Sequence, residues 1–417
     1  MALAVGIFVG ALALIASERV DRTKVALLGA ALVLLTQTID QHEAIAAVDF
    51  NTLGLLAGMM IVVRLTEETG VFTWVAIRAG QRSGGRPLAL VLWLSLSTAL
   101  LSAFLDNLTT ILLVVPITFR LAREFEIDPL PLVIIEVMAC NLGGTATLIG
   151  DPPNIMIAGA TGLPFMAFIG HLAPIAALTT LCVVLALYAV FRRRLAIAPD
   201  ARGNVLRLRA ASAIRDRREL RVLLPILGAI LLAFFVHRPL HLEPATIALS
   251  GATAMLLVTR QSLERTLAGV EWPTLFFFLG LFVMVGALER TGAIEEVADA
   301  MIALTDGDRT AELLTISWVS AIVGGIVDNI PLTATMIPVV DQIAGADGDD
   351  AYWWVLALGA CFGGNLTVVS AAANVAAAGM AARAGRPIGF WPFLKIGVPV
   401  TVGSMVLVTG YILLRYA

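Results

Sequence analysis

Apolar residues in this chain run in blocks rather than recurring on one face. Stretches such as 3–16, 25–35, 172–190 and 398–414 are apolar on every side, the pattern of helices surrounded by lipid or by other apolar helices. One membrane span takes about 20 such residues, and the chain holds about a dozen stretches of this kind. The pattern predicts an all-α polytopic membrane protein.

The blocks repeat. Val48-Asp49-Phe50-Asn51-Thr52-Leu53 returns as Val270-Glu271-Trp272-Pro273-Thr274-Leu275, and Thr69-Gly70 returns as Thr291-Gly292. Asp106-Asn107 matches Asp328-Asn329, and Pro116 matches Pro338, all offset by 222 residues. Gly143-Gly144, Thr147 and Asn154 match Gly363-Gly364, Thr367 and Asn374 at an offset of 220. The chain therefore divides into a first repeat over 1–191, an Arg-rich linker over 192–221 and a second repeat over 222–417. The first apolar stretch is part of the duplication and lacks a basic leader, so it reads as structure and not as a signal peptide.

Charge in the loops sets the orientation. The linker carries ten arginines between Arg192 and Arg221, and short basic loops mark the cytoplasmic side. Arg19, Arg22, Lys24, Arg78, Arg82, Arg86, Arg120, Arg123, Arg260 and Arg265 fall with it. Asp40, Glu43, Asp49, Glu295, Glu296 and the acids near 347–350 fall opposite. These placements agree if each half crosses the bilayer an odd number of times, giving two inverted-topology repeats in the inner membrane, linker cytoplasmic and termini periplasmic. Inverted repeats with interrupted helices are a common plan of secondary transporters.

Within each half, spans near 2–17, 23–38 and 50–66 precede two apolar runs, 88–104 and 108–122, joined by Leu105-Asp106-Asn107. Basic residues at both outer ends make this pair a re-entrant hairpin. The next block, 130–160, is broken at 143–154, where glycines permit unwound backbone and Pro152-Pro153 starts a new helix. A span at 172–190 closes the half. Irregular backbone at membrane depth survives only inside protein or against a wet cavity. The tips and breaks are therefore the expected substrate site, with Asn107, Thr109, Thr147, Asn154, Asn329, Asn365, Thr367 and Asn374 as ligands, although the same residue types also cap helices. Acids in spans are functional candidates: Asp106, Asp328, Asp151 and Glu136 are the expected coupling residues, with Glu136 reading equally as a structural carboxyl. Cys140 and Cys361 sit just before the paired glycines. They read first as small apolar filler and second as thiol ligands for trivalent arsenic. Sequon matches at Asn107 and Asn365 lie at membrane depth and read as coincidental.

Composition narrows the classes. The chain has 417 residues, 59% hydrophobic and 14% charged, with a formal net charge of −3. No nucleic-acid partner is expected at that charge, and the chain has no phosphate-binding loop, HExxH or paired-cysteine motif. No cofactor or metal is expected. An aspartyl protease built on Asp106 and Asp151 would have no use for inverted halves, so an enzyme is not expected. A passive channel stays open on sequence grounds.

At Phe104-Leu105-Asp106-Asn107-Leu108-Thr109-Thr110 and across 143–154, with Val327-Asp328-Asn329-Ile330-Pro331 and Gly363-Gly364-Asn365-Leu366-Thr367 in the second half, the sequence resembles the ArsB/NhaD permeases of the ion transporter superfamily. It is most similar to the branch containing the melanosomal P protein and bacterial arsenite-permease-like proteins. Ser370 stands where glycine is more usual, so the second break is expected to be less open. The resemblance implies a fold of two hairpins and two broken helices, and arsenite/antimonite efflux coupled to protons as the first function. The alternative is a sodium/proton antiporter or another anion permease. It admits a homodimer and a cytoplasmic ATPase subunit as partners. A carboxylate solute is disfavoured by the shortage of Arg or Lys expected at the site.

Overall fold

The computed structural model describes residues 1–17, 19–198, 210–345 and 348–416. Among them the first half forms α1 (Ala2–Ala16), α2 (Arg22–Leu35), α3 (Gln41–Ala46), α4 (Phe50–Glu68), α5 (Val71–Arg82), α6 (Pro87–Phe104), α7 (Asn107–Glu124), α8 (Pro129–Gly144), α9 (Pro152–Thr161) and α10 (Phe165–Phe191). The second half gives α11 (Arg217–Phe235), α12 (Pro244–Val258), α13 (Leu263–Ala268), α14 (Trp272–Arg290), α15 (Ala293–Thr305), α16 (Arg309–Ile326), α17 (Asn329–Ala344), α18 (Ala351–Gly363), α19 (Ala372–Arg383) and α20 (Phe390–Arg415). The order of long and short helices is the same in both halves, and no strand occurs among the described residues. Helices α4, α6, α10, α14 and α20 are each long and apolar enough to cross a membrane. The fold is that of an all-α, multi-pass membrane protein.

Local chemistry explains the boundaries. Gly70 at φ 81° and Gly292 at φ 77° sit in the left-handed region where α4 turns into α5 and α14 into α15, which is why Thr-Gly recurs there. Pro129 and Pro152 occupy first-turn positions of α8 and α9, where a missing N–H costs nothing. Four elements do not follow from the apolar blocks: the short α3 and α13 ahead of the third span, and the amphipathic α5 and α15 between the third span and the hairpin. The linker also differs from expectation, because α11 already begins at Arg217. Residues 199–209 of the linker lie outside the described residues.

The two halves interlock. A Cβ on Gly58 of α4 would lie 2.7 Å from the backbone of Ala248 on α12, and one on Gly280 of α14 would lie 2.7 Å from Ala26 on α2. Both members of these pairs are offset by 222 residues, so each half's second helix packs against the other half's fourth through one glycine contact, used twice. Within each half, a Cβ on Gly143 would lie 2.4 Å from the backbone of Ala99 on α6, and one on Gly363 would lie 2.5 Å from that of Ala321 on α16. Backbones this close leave no room for side chains, the usual route to tight helix packing in lipid.

Candidate functional site

The hairpin tips and the breaks are built from the same few bonds in both halves. Asp106 caps α7, accepting from Thr109 N at 2.8 Å and from the Thr109 hydroxyl at 2.5 Å. Asp328 caps α17 through Ile330 N at 2.9 Å. Each break is strapped to its hairpin by a threonine: Thr147 donates to the Ala103 carbonyl and Thr367 to the Gly325 carbonyl. Each opened loop is then held by an asparagine. Asn154 Nδ2 donates to the carbonyls of Thr145 and Thr147 at 3.0 and 2.8 Å. Asn374 Nδ2 donates to those of Gly364 and Thr367 at 2.7 and 2.8 Å. The Ser370 hydroxyl adds a further bond to Gly364 O at 2.8 Å, drawing the second break closed.

The breaks also meet each other. Asn141 Nδ2 donates to Asn365 Oδ1 and Asn374 Oδ1, each at 2.9 Å, and to Gly364 O at 3.1 Å. Asn365 returns a bond to Met138 O at 3.3 Å. The Cys361 thiol faces Asn154 Oδ1 at 3.6 Å, and Cys140 faces the Ser102 hydroxyl at 3.2 Å. At the repeat offset Cys361 corresponds to Asn141 and Cys140 to Ala360, so the two thiols are not symmetry mates. Both are buried and free.

A small cavity of about 40 Å³ lies between the tips, lined by Asp106, Asn107, Asp151, Glu271, Thr274, Asn329 and Arg22 with apolar neighbours. Asp151 is 1% exposed and precedes α9 without capping it. Its Oδ1 takes a long bond from Asn329 Nδ2 at 3.5 Å, and its Oδ2 is buried with no hydrogen-bond partner among the described residues. At the repeat offset its place is held by Ala371. Arg22, at the start of α2, reaches Asp328 Oδ2 at 3.0 Å and lies 5.1 Å from the centre of the Phe277 ring. Beyond that ion pair opens a second cavity of about 410 Å³, which shares Arg22, Leu108 and Ala372 with the first. A third, of about 340 Å³, lies by the start of α4, with Asp49, Glu289 and Asp341 on its wall.

The expected residues thus separate into groups. Asn107, Asn329, Asp106 and Asp151 come together at the small cavity, with Asp328 behind Arg22. Thr147, Asn154, Asn365, Thr367 and Asn374 are buried with their polar groups spent on the breaks, and Thr109 is spent on Asp106. Glu136 is elsewhere, buried between α7 and α8 and bonded to the Thr118 hydroxyl at 2.8 and 2.7 Å. Three site residues escaped the sequence reading. Arg22 was counted only as a loop charge, and it corrects the expectation that the site lacks a cation. Glu271 was noted only as a repeat marker. Asn141, a buried amide inside an apolar helix two positions before the glycines, carried a readable signal.

The citrate transporter family matches residues 12–359. The chain belongs to the citrate transporter family. An uncharacterized transporter of Mycobacterium tuberculosis is 43% identical to this family member over 99% of this chain and 98% of its own length. The 46 kDa membrane protein of Mycobacterium leprae is 41% identical over 99% and 98%. The human P protein is 32% identical over 99% of this chain, which spans 60% of the P protein. Among solved structures, the YdaH transporter of Alcanivorax borkumensis superposes with a TM-score of 0.63 at 15% identity, covering 99% of both chains, a likeness of fold alone. The protein is a membrane transporter. These matches carry the likeness to the P protein and give the family as the citrate transporter family.

Proposed function

We propose that this citrate transporter family member is a secondary active transporter driven by protons, exporting a small uncharged hydroxide of the arsenite or antimonite kind. The carrying observation is the composition of the small cavity. Asp106, Asp151 and Glu271 line it, Asp328 stands behind it, and Arg22 is the one guanidinium on its wall. A surplus of carboxylates at membrane depth lacks positive charge, which a proton or another cation supplies. The unpartnered Oδ2 of Asp151 supports its role as the acid that takes the proton. Asn107 and Asn329 offer neutral donors and acceptors to a hydroxide. An uncharged solute cannot be driven outward by the membrane potential, so uphill export requires an exchanged ion. In this reading the repeats are 1–191 and 222–417, the 192–221 linker is cytoplasmic, and the termini are periplasmic in the inner membrane.

Arg22 and the family's description favour a second reading, a carboxylate carrier. A guanidinium recognises carboxylates with paired hydrogen bonds, although here it is already paired with Asp328. Inside-out vesicles with an imposed proton gradient separate the readings. Arsenite accumulation that collapses with the gradient supports the first, and citrate accumulation supports the second. Sodium movement without either solute would instead make the chain a sodium/proton antiporter.

A further inference from the structure

Away from the central site, α5 and α6 frame a cavity of about 740 Å³ whose wall carries Trp74, Arg78, Arg82, Trp93 and Ser97 and, among the described residues, no acidic side chain. Trp74, Arg78 and Arg82 follow one another at every fourth residue and so share one face of α5. The opposite face of α5, including Phe72, Ala76 and Ile77, is buried. Each guanidinium lies over an indole: Arg78 is 5.7 Å from the Trp74 ring centre and Arg82 is 5.3 Å from that of Trp93. The segment sits at the linker end of the molecule, since Arg215 N donates to the Thr69 carbonyl at 2.9 Å just before α5 begins. On α6, Leu96 and Leu100 continue away from the cavity with 43% and 64% of their surface uncovered.

We propose that this groove binds the headgroup phosphodiester of an anionic phospholipid. Two arginines one helical turn apart can close on one phosphate, each with a forked pair of N–H donors. Tryptophans belong at the depth where headgroup gives way to acyl chain, and basic pockets between helices on the cytoplasmic side suit anionic headgroups. The uncovered leucines extend the groove along the hydrocarbon, a surface that a lipid tail covers and a soluble ion does not use.

The test uses the full-length protein in a nonionic detergent, read by melting temperature and by native mass spectrometry with added dioleoylphosphatidylglycerol or dioleoylphosphatidylcholine. Phosphatidylglycerol is expected to raise the wild-type melting temperature, phosphatidylcholine and inorganic phosphate are not, and R78Q/R82Q is expected to lose the rise. In the mass spectra the double variant should retain phosphatidylglycerol about tenfold less, the scale of losing charge-assisted bonds to one phosphate. That retention is compared within folded protein and does not depend on equal stability. Equal retention by wild type and R78Q/R82Q overturns the proposal. So does equal binding of the two lipids, or a rise reproduced by inorganic phosphate alone.

Discussion

At the scale of single residues, the side chains that cap the hairpin helices also stand at the proposed transport site. Asp106 and Asp328 end hairpin turns as N-caps, yet Asp106 also faces the small cavity and Asp328 holds Arg22 at its edge. Asp151 is the informative exception, because it caps nothing and leaves one oxygen unpartnered. Arg22 and Asp328 should behave as one unit. Arg22→Gln is expected to cut solute transport by about tenfold or more, and adding Asp328→Asn should cost little further, as coupled groups are not additive. Initial transport rates of the four proteins check this, and fully multiplicative losses would break the pairing. Asn154→Ala and Asn374→Ala are expected to abolish transport and also to destabilise. Asn154→Ala takes the side-chain donor from the buried Thr145 and Thr147 carbonyls, at about 1–3 kcal/mol per group, and Asn374→Ala costs less because Asn141 and Ser370 still donate to the Gly364 carbonyl and Ser370 to that of Thr367. Melting of the purified variants measures the second effect, and unchanged melting would mean that the breaks are held some other way.

At the scale of elements, the hairpins and breaks were legible because they violate a rule: polar residues and glycine interrupt apolar runs inside a membrane. Asp106-Asn107 between two apolar blocks, and Gly143-Gly144 ahead of Pro152-Pro153, announce themselves in this way. The amphipathic α5 and α15 did not, since burial on one face produces periodicity and no apolar run. Arg22 stayed hidden for a different reason. Its position next to a basic loop reads as a topology mark, and its pairing with Asp328 exists only once α2 and α17, 306 residues apart in sequence at that contact, are brought together. The glycine contacts give the element-scale prediction. Gly143→Ala and Gly363→Ala each place a methyl within 2.4–2.5 Å of backbone in the hairpin's first arm. Helices must separate to admit it, at about 1–3 kcal/mol or more, and detergent-solubilised yield should fall for both. Normal yield and activity in either would show that α6 or α16 packs differently.

At the scale of the whole molecule, the glycine pairs Gly58–Ala248 and Gly280–Ala26 tie each half to the other, so the repeats are read as halves of one body. A proton-driven exchanger needs the central acids to be reachable from either end in turn, and two larger cavities lie outside the central one, one of about 410 Å³ holding Arg22 and Asp328 and one of about 340 Å³ holding Asp49, Glu289 and Asp341. The proposed orientation has residue 193 inside and residue 42 outside. In a cysteine-free background, Arg193→Cys should react with an impermeant thiol reagent only after cells are opened, and His42→Cys should react in intact cells. The reverse pattern would invert the topology. The central claim, that protons drive the solute through the acid cluster, is met most directly by arsenite accumulation in inside-out vesicles carrying wild type or Asp151→Asn. Gradient-dependent accumulation is expected in the wild type and none in the variant, with exchange down the arsenite gradient retained. Equal gradient-driven accumulation by the two proteins would contradict it.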